Sequence, residues 1–174
     1  MTRLKTLAKL ASFLVTLLVC GDSIRAEDIS GTITTTRTIT DNSKLVGDVT
    51  CAVTGAACIA FGAGGLTLDL NGFTMTGRAD PATACFGGAV AGMGGEFGIF
   101  VNGVDNVTIR GSGVVQQFRA QGIQLNGSSG STIRDVTSST NCASGFQVNT
   151  GSNNLLENNV SIRNGNVTAA CGGI

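Results

Sequence analysis

The sequence predicts an all-β fold, a right-handed parallel β-helix solenoid of about six coils of 23–28 residues. Three observations predict it: a repeated segment, alternation within that segment, and a composition suited to short strands. The segment Gly98-Ile99-Phe100-Val101-Asn102 recurs 24 residues later as Gly122-Ile123-Gln124-Leu125-Asn126. It recurs after a further 23 as Gly145-Phe146-Gln147-Val148-Asn149. A second segment keeps the register: Val107-Thr108-Ile109-Arg110, then Ser131-Thr132-Ile133-Arg134, then Asn154-Leu155-Leu156-Glu157. Apolar and polar residues alternate in both, which defines strands with one face in and one face out. The chain holds 26 Gly, one Pro, no Trp and no Tyr. That balance suits tight turns between short strands, not a globule filled by large aromatics.

From the N-terminus, residues 1–26 read as a secretory signal peptide. Arg3, Lys5 and Lys9 supply positive charge, Leu10 to Cys20 is an apolar run, and Ile24-Arg25-Ala26 offers a cleavage site. The run is too short to cross a bilayer, so no transmembrane anchor is expected. The expected location is secreted, extracellular or periplasmic. A lipoprotein signal acylated at Cys20 is the minor alternative, with Val19 a poor fit before the cysteine.

Residues 27–174 form the expected β-helix domain. Residues 27–44, polar and Thr-rich, are expected to shield the N-terminal end. Gly47 to Cys51 and Cys58 to Phe61 read as early strands, and Leu66 to Gly77 as strand, Asn-Gly turn, strand. Residues 78–95 read as a projecting loop. In the three regular coils a weaker third segment follows, marked by Val114-Val115, Val136 and Val160-Ser161-Ile162. The final Gly173-Ile174 would open another coil. The expectation is therefore a chain incomplete at its C-terminus, or one that stacks end to end or as a homo-oligomer through an uncapped coil.

Stacking turns the repeats into columns, because neighbouring strands lie about 4.8 Å apart. Ile99, Ile123, Phe146 and Ile174 form one inward ladder, Val101, Leu125 and Val148 a second, and Ile109, Ile133 and Leu156 a third. Asn102, Asn126 and Asn149 form a turn ladder in which amides bond from coil to coil. Gly98, Gly122 and Gly145 fall where a side chain would collide.

Composition also excludes chemistry. The chain has no His and a formal net charge of zero. A Ser-His-Asp triad and a His-ligated zinc site are excluded. No general electrostatic case exists for a nucleic-acid partner. No metal site is evident from spacing, and no cofactor. Five cysteines follow the signal: Cys51, Cys58, Cys85, Cys142 and Cys171. In an oxidising compartment Cys142 and Cys171 are disulfide candidates, since they occupy equivalent places one coil apart. Cys51 pairs with Cys58 across a small loop, or Cys58 pairs with Cys85.

The run Leu66-Thr67-Leu68-Asp69-Leu70-Asn71-Gly72, continuing to Gly77, resembles a stretch of the early coils of right-handed β-helix repeat proteins. The Gly-Ile-x-Val-Asn coils downstream are similar to the pectate-lyase-like superfamily. The resemblance covers most of residues 45–174 and implies the fold far more than a function. It implies carbohydrate as a ligand class, with a polysaccharide the expected partner. Pectin hydrolases on this fold cluster Asp residues with a His and an Arg-x-Lys element, all of which this chain lacks. Lyases of the superfamily hold Ca²⁺ with carboxylates and use Arg or Lys as base. On that alternative the chain is a fragment of a polysaccharide lyase or other carbohydrate-active enzyme acting on uronates, with Ca²⁺ as cofactor.

No catalytic set is complete, so catalytic residues stay unassigned. The best outward binding candidates are Asp105, Arg110, Arg134 and Asp135, on or near one strand column. The leading expectation is an exported non-catalytic scaffold that presents a flat face to carbohydrate or another partner.

Overall fold

A computed structural model describes residues 26–78 and 95–165. Residues 1–25 of the signal peptide, residues 79–94 of the loop, Cys20, Cys85, Cys171 and Ile174 lie outside the described residues. Within those described, fifteen strands form two parallel sheets, one of ten strands and one of five.

The chain starts with β1 (Glu27–Ile33), β2 (Arg37–Ile39) and the long β3 (Ser43–Cys51). The next coil is β4 (Ile59–Phe61), β5 (Thr67–Asp69) and β6 (Thr74–Thr76). Three regular coils follow. They are β7 (Ile99–Asn102), β8 (Thr108–Arg110), β9 (Val114–Gln116); β10 (Ile123–Asn126), β11 (Thr132–Arg134), β12 (Thr137–Ser139); and β13 (Phe146–Asn149), β14 (Leu155–Glu157), β15 (Val160–Ile162). The smaller sheet stacks β2, β4, β7, β10 and β13. In the larger sheet β3 pairs with both β5 and β6. One long strand there becomes two short ones per coil, giving a second and a third face downstream.

Residues 27–44 cover the N-terminal end of the described stack, and they do so as strands of it. β1 pairs with β3, and β2 pairs with β4. The alternation of Thr and Ile that suggested a polar covering is strand alternation, with Ile29 and Ile39 turned into the core at 5% and 0% exposure.

The ladders align as Ile99–Ile123–Phe146, Val101–Leu125–Val148 and Ile109–Ile133–Leu156, inward except at Val148, which is 44% exposed in the last described coil. Leu68 extends the last one upstream. The third face meets its markers at Val114-Val115 and at Val160–Ile162 and differs in the middle coil. Its strand in the β10 coil begins after Val136, and its inward residue is Ser138, aligned with Val115 above and Ser161 below. A Cβ on Gly122 would lie 2.2 Å from the Ser138 Oγ. Ser138 fills its place by hydrogen-bonding the Gly145 carbonyl and Asn141, so no apolar residue marks it.

Corners are set by left-handed backbone. After the smaller-sheet strands come Gly103, Gly127 and Thr150, and between the second and third faces come Asn71, Asp135 and Asn158, all with positive φ. Gly and Asn adopt this conformation at low cost, whereas Thr150 and Thr140 must be held by the coil-to-coil bonding around them. The Thr140 N–H, for example, donates to the Ile162 carbonyl at 3.1 Å.

Candidate functional site

The outward side of the second face carries one straight column of charge. Register aligns Asp28, Lys44, Asp69, Arg110, Arg134 and Glu157 across β1, β3, β5, β8, β11 and β14. Each is followed or preceded by an inward residue such as Leu45, Leu68, Ile109 or Ile133, so alternation turns the charges to solvent. Lys44 pairs with Asp28 at 3.6 Å. The Arg110 Nε donates to Asp69 Oδ2 at 3.0 Å. Arg134 is exposed and makes no ion pair among the described residues.

Two arginines therefore stand side by side on neighbouring strands. Like charges directly opposite cost a few tenths of a kcal/mol or more. Asp69 offsets Arg110, while Arg134 keeps its planar set of donors open to an acceptor. Exposed ion pairs contribute about 0–1 kcal/mol, so this column is not what holds the solenoid together.

The four outward candidates do not form one cluster. Arg110 and Arg134 are brought together. Asp105 lies at the corner before β8, where its Oδ1 accepts the Ser129 N–H of the next coil at 2.8 Å. Asp135 sits on the bend after β11 with φ 58°, exposed, its own N–H given to the Glu157 carbonyl. The turn ladder is continuous: the Asn126 amide donates to Asn102 at 2.7 Å, and Asn149 donates to Asn126 at 2.8 Å. Cys51 and Cys58 are joined in a disulfide, and both are buried. Cys142 is also disulfide-bonded, to a cysteine outside the described residues.

Two groupings are not apparent from the sequence. The first is a set of asparagines that clip each coil to the one before it. Asn141, fully buried, accepts the Phe118 N–H at 2.9 Å and donates to the Val115 carbonyl and the Ser138 hydroxyl. Asn154, Asn159 and Asn164 repeat this, each bonding an N–H 23 residues back and a carbonyl 26 back. Their five-residue spacing after Asn149 is the one signal that could have revealed them.

The second grouping is Glu96 with Arg78 and Arg119. Glu96 is 8% exposed. Its Oε1 accepts the Gly55 N–H at 3.0 Å and faces Arg119 at 3.5 Å and Arg78 at 3.9 Å. Gly55 belongs to the short loop closed by the Cys51–Cys58 disulfide. The adjoining cavity, about 10 Å³ and walled by Phe97 and Phe118, holds about one water at most. The cluster ties together the two ends of the 79–94 segment and two coils. No local motif announces it, because Gly55 and Glu96 are 41 residues apart.

Among the described residues, no group of three or more His, Cys, Asp or Glu could hold a metal ion. No helix there is long and apolar enough to cross a membrane. Parallel pairing in every strand, coil-period columns and an asparagine ladder define a parallel β-helix repeat protein. The model of the family described as "Periplasmic copper-binding protein (NosD)" matches residues 62–172, and the chain belongs to that family. No curated protein and no solved structure matches the chain.

Proposed function

We propose that this chain is an exported, non-catalytic β-helix module whose second face binds an acidic polysaccharide. The carrying observation is the Arg110–Arg134 step in the outward charge column. A carboxylate or sulfate on a glycan offers the paired acceptors that a guanidinium recognises best. Export is supported by the charged and apolar parts of residues 1–26, by the periplasmic description of the family, and by buried disulfides.

The non-catalytic reading rests on what the carboxylates already do. Oδ1 of Asp48, Asp69 and Asp105 accepts the N–H of Thr74, Asn71 and Ser129 respectively. Such groups lock corners and are poor candidates for moving protons. The lyase alternative requires carboxylates gathered around Ca²⁺, and the described residues gather none in groups of three.

The test is binding of the mature chain to polygalacturonate and alginate against neutral dextran, by calorimetry at two salt concentrations. Binding to the acidic polymers should weaken several-fold with added salt and again in Arg134→Gln. Equal affinity for dextran, or an unchanged Arg134→Gln, would sink the proposal. Release of unsaturated uronate from either acidic polymer would establish the lyase alternative instead.

A further inference from the structure

We infer that the described solenoid of this chain is not a copper site, although its family carries a copper-binding description. Copper is held by imidazole, thioether and thiolate donors, with carboxylates as weaker partners. The chain has no His anywhere in its 174 residues. Of its sulfur donors, Met75 lies in the core at 0% exposure, stacked between Val49 and Val115. Its thioether is sealed by apolar neighbours and has no second donor beside it. Cys51 and Cys58 are consumed in a disulfide, at 2% and 1% exposure, and Cys142 is consumed in another. A disulfide sulfur is not a thiolate and does not bind the metal as one.

The carboxylates do not replace them. Asp48, Asp69 and Asp105 each cap a backbone N–H at a different corner, and Glu96 is enclosed by Gly55 and two guanidinium groups. A cation at Glu96 would meet Arg78 and Arg119 first, and their charge would repel it. Within the matched range 62–172, the described residues build coils: inward aliphatics, glycines at close approaches and stacked asparagines. Among the described residues the scaffold carries no copper donor set on its wall.

The experiment uses the mature chain with its disulfides intact. Cu(I) is offered under anaerobic conditions against a chromophoric chelator, and Cu(II) is offered separately before gel filtration. Copper per chain is then read by mass spectrometry of the eluted protein. The expected result is that the chelator keeps the Cu(I) and the eluted protein carries far less than a full equivalent of either ion. A full equivalent retained by wild type and also by Cys85→Ser/Met93→Leu/Cys142→Ser/Cys171→Ser, which leaves no thiol freed from the Cys142 disulfide, would overturn the inference. So would copper lost in Met75→Leu, a volume-conserving change expected to leave the fold intact. Copper retained by wild type but lost in the quadruple variant, with its circular dichroism unchanged, would uphold it, because Cys142 is oxidised in wild type and the donors would then lie outside the described wall.

Discussion

The upper and lower coils of this solenoid solve one packing problem in two ways. Down the third face the inward column reads Val49, Met75, Val115, Ser138, Ser161. The upper coils are joined by apolar burial: Leu68, Leu70, Met75, Ile99, Val101, Ile109 and Val115 are all at 0% exposure. In the lower coils, hydrogen-bonded polar residues enter the interior. Ser128, Ser131, Ser138 and Asn141 are equally buried, and they bond to one another and to backbone. The difference teaches that a parallel stack needs filled columns, not necessarily greasy ones. A Ser that donates to the Gly145 carbonyl at 2.8 Å and receives the Asn141 amide loses little by burial.

Four substitutions break or sharpen this comparison. The largest effect belongs to the apolar region. Ile109→Ala removes a fully buried side chain between Leu68 and Ile133, and should cost about 3 kcal/mol. A lowered guanidinium midpoint at unchanged slope checks it. Next is Ser138→Val, which gives the lower coil the residue of the upper one. Asn141 and the Gly145 carbonyl lose their hydroxyl partner inside the core. We expect a loss of about 2 kcal/mol in urea unfolding. A stabilised Ser138→Val would mean the polar coils are only a weakened copy of the apolar ones.

Asn126→Ala cuts both bonds of the exposed turn ladder and should cost about 1 kcal/mol, seen as a lower thermal midpoint. The smallest effect is on the charge column. Arg110→Gln should change stability by under about 1 kcal/mol at low salt and by nothing measurable at high salt, because its pair with Asp69 is exposed. A large loss from Arg110→Gln would make the column structural and remove the case for a binding face.

The regular coils are legible in the sequence because their period is constant. Offsets of 24 and 23 residues are enough to put Ile99, Ile123 and Phe146 in one column, and the same offsets put Arg134 beside Arg110. The third face is harder to see. Its inward Ser138 carries no apolar signal, so Val136, the nearest valine, stands in for it. The Glu96 cluster is not legible at all, because its members come from four separated segments.

By itself the sequence determined the columns, the close approaches at Gly98, Gly122 and Gly145, and the turn ladder. These follow from a repeat in which every residue lies above its own equivalent, so local alternation and period are enough. Tertiary structure decided which residues meet from the two sides of the segment between residues 78 and 95. Asp69 meets Arg110 and Gly55 meets Glu96 at separations of 41 residues, well beyond the coil period. Loop closure depends only weakly on loop length, so no sequence interval announces where the stack resumes. Only the strands pairing above and below it fix that register, and with it the place of Arg110 in the charge column.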